Sequence, residues 1–218
     1  MPPPSAPRRW VPIRSLAPRH RDRILSHLLA LAPADRYLRF GYAASDAQVA
    51  AYVDGINFER DEVFGIFNRR LELVAMAHLA YPEPSASALR PAMAEFGVSV
   101  AAAARGRGYG SRLFDHAVMH ARNRGTDRLL IHALTENKAM LQIARRAGAI
   151  VERDGPDSEA CLQLPPDTIA SQIEELVESH AAEVNYQFKR HALRLEQLMD
   201  AVGEVRSQME RQRQDGGA

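Results

Sequence analysis

The residues best suited to chemistry lie together in one stretch, Glu95–Ala121, which reads EFGVSVAAAARGRGYGSRLFDHAVMHA. Inside it, Arg105, Gly106, Arg107, Gly108, Tyr109, Gly110 and Ser111 form a turn rich in glycine and arginine. Before the turn, Phe96, Val98 and Val100 alternate with the period of a strand. After it, Leu113, Phe114, Ala117, Val118 and Ala121 share one helical stripe. A strand, such a turn and a helix in that order make an anion-binding device. The glycines let the backbone approach a ligand closely, and the N–H groups that open the helix point at it. The expected ligand at Arg105–Ser111 is a phosphate or pyrophosphate.

Spacing decides between kinds of phosphate site. A P-loop needs Lys followed by Ser or Thr after its last glycine, and here Gly110 is followed by Ser111-Arg112. A dinucleotide-binding turn needs Gly-x-Gly-x-x-Gly directly after its strand. Here the glycines stand at 106, 108 and 110, and Ala101–Ala104 separate Val100 from the turn. What fits is Arg105-x-x-Gly108-x-Gly110, and it resembles the pyrophosphate-binding motif of the GNAT N-acetyltransferase superfamily. Thr135-Glu136-Asn137 stands where that superfamily has an Asn opening its next helix, and Gly148 where a glycine closes it. The order of elements matches as well, over about Val11 to Leu164. Asp35-Arg36-Tyr37-Leu38-Arg39-Phe40-Gly41, with Glu95 opening the central strand, looks most like the subgroup with bacterial protein lysine acetyltransferases.

The resemblance implies a fold, a cofactor and a reaction. The fold is α/β (α+β), a mixed, mostly antiparallel central sheet flanked by helices. The co-substrate is acetyl-CoA or another acyl-CoA, and no metal is involved. Val98, Ser99 and Val100 lie beside the pantetheine arm, on a strand that splays from its neighbour, and a strand N–H near Val100 faces the thioester oxygen. Fixed donors at a developing oxyanion are a strong catalytic effect. Asn137 contacts the cofactor, caps its helix, or does both.

Acyl transfer to an amine also needs a base, because a free amine with a pKa of about 10.4 arrives mostly protonated. Glu95 is the candidate general base; the alternative is an exposed carboxylate at a strand end. The superfamily's usual general acid, a Tyr seven residues after the helix-opening Asn, is absent, since Ala144 stands there. Ala101–Ala104 is a second departure, toward a helix-prone loop. Asp35, Arg36 and Arg39 either line the acceptor cleft or form an ion-paired loop. The acceptor is an amine, on a small molecule or a protein lysine. A second class of function remains open, a non-catalytic acyl-CoA sensor signalling through C-terminal helices.

These residues need elements to hold them. Pro18–Ala32 carries Ile24, Leu25, Leu28, Leu29 and Leu31 at helical spacing, after a short strand in Trp10–Ser15. Ala34–Asp46 is polar and aromatic without a clear period. Ser45 or Asp46 caps a helix with Val49, Tyr52, Val53 and Ile56. Val63–Phe67 and Leu71–Leu79 flank Asn68-Arg69-Arg70 as a hairpin, and Tyr81–Pro91 reads as a loop. After Glu95–Val100 come a helix over Ser111–Arg124, a strand over Arg128–Leu134 and a helix over Asn137–Arg146. Two short strands, Ala149–Arg153 and Ala160–Leu164, complete the series.

The bulk composition sets the limits. The chain has 218 residues, 46% hydrophobic and 25% charged, so a sizeable core is possible. A net charge of +1 gives no field favouring nucleic acid or a membrane surface. The single cysteine, Cys161, excludes an internal disulfide and fits a reducing, cytoplasmic location. His116 and His120 are four apart on one helix but lack a third ligand, so no metal site is expected. The expected domains are a disordered tail over 1–9, the acyltransferase domain over 10–165 and a helical, coiled-coil-like extension over 166–213. In that extension Ile169, Ile173, Leu176 and then Leu195, Leu198, Val202, Val205 and Met209 repeat by three and four, which predicts a homodimer paired through these helices, the alternative being helices packed on their own domain.

Overall fold

The computed structural model describes residues 11–83 and 93–164. The expected N-terminal tail, most of the Tyr81–Pro91 loop and the C-terminal helical extension with its dimer contact lie outside the described residues.

Seven strands form one sheet in the order β1-β2-β3-β4-β5-β7-β6. They are β1 (Arg14–Ser15), β2 (Glu62–Phe67), β3 (Leu73–Ala80), β4 (Met93–Val100), β5 (Arg128–Leu134), β6 (Ile150–Asp154) and β7 (Asp157–Gln163). All pairings are antiparallel except β4 with β5, which is parallel. The helices are α1 (Arg21–Leu29), α2 (Pro33–Phe40), α3 (Asp46–Asp54), α4 (Tyr109–Asn123) and α5 (Lys138–Arg146).

Alternation along the strands splits the core in two. Val63 and Phe64 are neighbours in β2 yet bury into different clusters, because successive strand residues face opposite sides. On one side Phe64, Ile66, Phe96 and Ile131 pack with Leu113 and Phe114 of α4 and Leu141 of α5. On the other, Val63, Phe67 and Met76 pack with Ile24 and Leu28 of α1 and Val49 and Val53 of α3. Strand β4 therefore has one face toward α4 and the other toward α1 and α2.

Most elements stand where periodicity puts them, with two corrections. The segment without period contains α2: Pro33 sits in its first turn, Gly41 closes it at φ 79°, and none of its residues is fully buried. At eight residues the helix has little more than two turns, too few for its period to stand out in the sequence. Among the described residues the first strand covers Arg14–Ser15, paired with Gly65 and Phe64 of β2. The other helix and strand ends shift by a few residues: α4 begins at Tyr109 and β7 at Asp157. Ala102–Ala104 form a single 3-10 turn. In the hairpin turn, the Asn68 side-chain oxygen accepts from the N–H groups of Arg70 and Glu72, and Leu71 takes φ 59°.

Candidate functional site

The parallel ladder between β4 and β5 is short. It pairs Met93 with Arg128, Ala94 with Leu129 and Glu95 with Leu130, and stops there. Beyond Glu95 the two strands part, while β4 stays paired to β3 as far as Val100. The β5-facing backbone of Gly97–Val100 is thus left without a strand partner, since buried peptide groups need one from elsewhere. The split opens a cleft of about 420 Å³.

One wall of the cleft is Val98, Ser99 and Val100 of β4, continuing into Arg105, Gly106, Gly108, Tyr109, Gly110 and Ser111. Asn137, Met140 and Ile143 of α5 form the opposite wall, and Leu31, Asp35, Leu38 and Arg39 close the side toward α1 and α2. Arg107 points elsewhere: it lines a separate hollow with Arg69 and Arg70, and its Nη2 donates to the Ala103 carbonyl at 3.4 Å. Glu95 does not line the cleft wall. It lies exposed where the ladder ends, and its side chain makes no hydrogen bond or ion pair among the described residues.

The glycine turn has backbone reasons for its composition. Gly106 and Gly108 take φ 72° and 75°, the left-handed region that side chains disfavour. Gly110 is different: a Cβ there would come 3.3 Å from Ile143, so its absence lets α4 pack against α5. The start of α4 has no side-chain cap, with Gly108 at the cap position. By contrast Ser45 caps α3 through the Gln48 N–H, and Asn137 caps α5 through the Met140 N–H. Uncapped N–H groups facing a cleft, at the positive end of a 15-residue helix, suit an anion.

Two side chains described as binders in the sequence have partners already. Arg105 Nη2 pairs with Asp35 at 2.6 Å, joining the turn to α2. Asn137 spends its oxygen on the α5 cap, while its Nδ2 reaches the Leu38 carbonyl at 3.5 Å. Arg36 does not face the cleft; it donates to Leu29 O, Ala44 O and Asp46 and so joins α1 to the approach to α3.

On the α1–α3 face of β4, two polar connections escaped sequence reasoning. Ser99 is buried, and its hydroxyl meets His27 Nε2 at 2.8 Å, while His27 Nδ1 is 2.9 Å from the Leu73 carbonyl. The carbonyl requires Nδ1 to carry the proton, so Nε2 accepts from Ser99. Burial lowers the His27 pKa to about 4, so the ring is neutral near pH 7. A carbonyl cannot stabilise an imidazolium as a carboxylate would, so this pair ties α1 to β4 and does not activate Ser99.

The second connection is a chain. Arg39 Nη2 donates to Tyr52 Oη at 2.7 Å, Tyr52 Oη lies 2.7 Å from His78 Nδ1, and His78 Nε2 lies 3.2 Å from Asp61 Oδ2. Burial pushes the Asp61 carboxyl up, but hydrogen bonds from His78, Arg60 and the Tyr81 N–H outweigh it and hold the group well below the usual carboxylate range. With Asp61 ionised, His78 donates from Nε2, and Tyr52, which already accepts from Arg39, turns its O–H toward Nδ1. Burial raises the Tyr52 phenol, against the pull of Arg39; the Glu95 and Asp61 carboxylates add to the rise. Tyr52 and Arg39 are hydrogen-bonded, and Arg39 rests on Gly97, two residues from Glu95 on the same face of β4. His27, Tyr52 and His78 gave no signal because each sits in an apolar pattern and finds its partners from 13 to 72 residues away.

Outside the cleft, His120 pairs with Glu62 at 2.8 Å, and its ring centroid lies 4.5 Å from that of His116. Among the described residues no group of His, Cys, Asp and Glu could hold a metal ion, and no helix is long and apolar enough to cross a membrane.

Residues 33–149 match the acetyltransferase (GNAT) family. No curated protein matches the chain. Among solved structures, the GNAT domain of S. lividans PAT is similar at 21% identity and TM-score 0.58, covering 70% of this chain and 89% of that one. A GNAT-family acetyltransferase from Streptococcus pneumoniae is similar at 12% identity and TM-score 0.56, covering 72% and 100%. The Salmonella typhimurium protein yncA, solved with its cofactor acetyl-CoA, follows at 15% identity and TM-score 0.54, covering 73% and 96%. These three likenesses are likenesses of fold. The family match spans more than half of the sequence, and the chain belongs to the acetyltransferase (GNAT) family, a family of N-acetyltransferases.

Proposed function

As a member of this family, we propose, the chain transfers an acyl group, acetyl first, from acyl-CoA to an amine by direct attack, with Glu95 as general base. The observation that carries the reading is the split between β4 and β5. It begins at Glu95 and opens toward the uncapped start of α4, which supports a base near one end of the cleft and an anion site at the other. In this reading the N–H groups of Gly108–Ser111 take the pyrophosphate, with the helix dipole behind them. The unpaired edge of Val98–Val100 pairs with the amides of the pantetheine arm. A strand N–H near Val100 faces the thioester oxygen and stabilises the charge that develops there.

The amine enters from the α1–α3 side, where Glu95 takes its proton directly or through a water. The nitrogen attacks the thioester carbon, the tetrahedral oxyanion collapses, and the C–S bond breaks. The thiolate leaves with a pKa near that of Cys, about 8.5, so water can protonate it. No tyrosine is needed at Ala144, which is fully buried in the core against α4. Acetyl-CoA as co-substrate is supported by the family and by the acetyl-CoA held in the yncA structure. The motif around α2 and Glu95 supports a relationship to the bacterial protein lysine acetyltransferases.

Thiol release from acetyl-CoA on adding amines tests the reading. The expected result is amine-dependent release that Glu95→Gln abolishes while CoA still binds. Tight CoA binding without release for any amine, unchanged by Glu95→Gln, would instead mark a non-catalytic sensor.

A further inference from the structure

Arg39 is held over the acceptor side of the cleft in a way that ion pairing does not explain. Its guanidinium lies flat on Gly97: a Cβ at that position would stand 2.8 Å from Cζ and Nη2. Gly97 is thus the seat that lets a cation rest directly on the strand. Tyr52 fixes its orientation through Nη2, and His78 and Asp61 fix Tyr52 in turn. The Phe40 and Tyr52 rings flank the guanidinium at 5.2 and 5.3 Å. The neighbouring cations are satisfied by carboxylates, Arg36 by Asp46 and Arg105 by Asp35. Arg39 has no carboxylate partner among the described residues. One of its five N–H donors is used, and Nε is enclosed without an acceptor.

Glu95 is on the same face of β4, two residues away, which is about 7 Å along the strand. Opposite charges this close on a surface ordinarily pair, but the tyrosine holds Arg39 and the two stay apart. The result is a guanidinium in the cleft wall and an exposed carboxylate on the same face of β4, where the ladder ends. We propose that the acceptor is an α-amino acid: Arg39 takes its carboxylate, and its amine is presented to Glu95. The planar guanidinium binds a carboxylate by paired hydrogen bonds, which also fixes where the adjacent nitrogen points. Leu31 and Leu38 line the same side, so an apolar side chain suits the site. This inference rests on the acyl-transfer reading of the same cleft. Arg39 and Gly97 here determine specificity, while Tyr52, His78 and Asp61 are positioning residues.

The test compares L-leucine with 3-methylbutylamine, the same amine without its carboxylate, using acetyl-CoA. The expected wild-type preference for leucine in kcat/KM is tenfold or more, carried mainly by KM. In Arg39→Gln the preference falls to near one, and in Arg39→Lys it is intermediate. Equal use of the two amines by the wild type, or a preference that survives in Arg39→Gln, overturns the proposal and leaves acyl transfer standing. If no amine turns over, calorimetry with L-leucine on the CoA-saturated protein decides. Binding that is lost in Arg39→Gln supports the carboxylate site even though transfer has failed, and no binding at millimolar leucine overturns it.

Discussion

The two ends of the cleft are assembled from different materials. The anion end is almost wholly backbone: left-handed glycines at 106 and 108, a helix start without a cap, and the unpaired edge of one strand. Nearly all of it comes from the continuous stretch Val98–Ser111. The acceptor end is almost wholly side chain. Arg39, Tyr52, Asp61, His78 and Glu95 come from α2, α3, the turn before β2, β3 and β4, and they meet only because the sheet brings them together. Backbone N–H groups suit a ligand that every member of a family shares, because they require only a conformation. Recognition of an acceptor needs charge and shape, which only side chains supply.

That contrast can be broken by substitution. The largest effect is expected from Glu95→Gln, which removes the proposed base but no backbone feature. We expect kcat to fall about 100-fold or more, in line with the usual size of general-base catalysis. The CoA dissociation constant should stay within about twofold by calorimetry; a parallel loss of CoA binding would erase the division between the ends.

The next effect concerns stability, and it comes from the side chain that ties α1 to the cleft strand β4. His27 titrates at about 4 in the folded chain against 6.5 in the unfolded one. Its contribution is fully present above pH 6.5 and is lost as pH falls toward 4, because the unfolded chain then binds the extra proton. The shift corresponds to about 3 kcal/mol at most. Denaturant unfolding from pH 7 to 4 should show a steep loss of stability that flattens in His27→Gln. His20, also lowered to about 4 mainly by burial, leaves part of the slope in place. An unchanged slope in His27→Gln would overturn this expectation.

Gly108→Val tests the anion end. Forcing a β-branched residue to φ 75° costs about 1–3 kcal/mol. The strain is relieved by moving the helix start away from the ligand, so CoA affinity should fall about tenfold or more, with amine KM little changed. A variant in which KM moves more than CoA affinity would show that the two ends are coupled.

The smallest effect is expected at the contact between the ends. Asp35→Asn releases Arg105, whose side chain is half exposed. Such pairs contribute about 0.2–1 kcal/mol, and the freed cation can turn to the pyrophosphate. We expect CoA to bind about two- to fivefold tighter, with the gain fading at high salt. Weaker binding would mean that Asp35 positions the turn.

How much was legible follows the same division. The turn at Arg105–Ser111, the strand before it and the helix after it are contiguous, so their spacing alone pointed to an anion and, through the resemblance, to the GNAT family. Asn137 was legible because a cap is a local event. Helix α2 was not, because its eight residues make too few turns for a period to show. The hydrogen-bond chain behind Arg39 was not, because a buried Tyr or His reads as core until its partner is seen. Arg107 could not be told from Arg105, since neighbouring residues in a tight turn point in unrelated directions.

Sequence alone determined the order of elements, the hydrophobic faces and the conformations that glycine must supply, since all of these depend on neighbours within a few residues. The tertiary structure decided where β4 and β5 separate, which arginine is neutralised and which one is left facing the cleft. These are set by contacts between residues far apart in the chain, as when Gly97 makes room for Arg39, 58 residues before it.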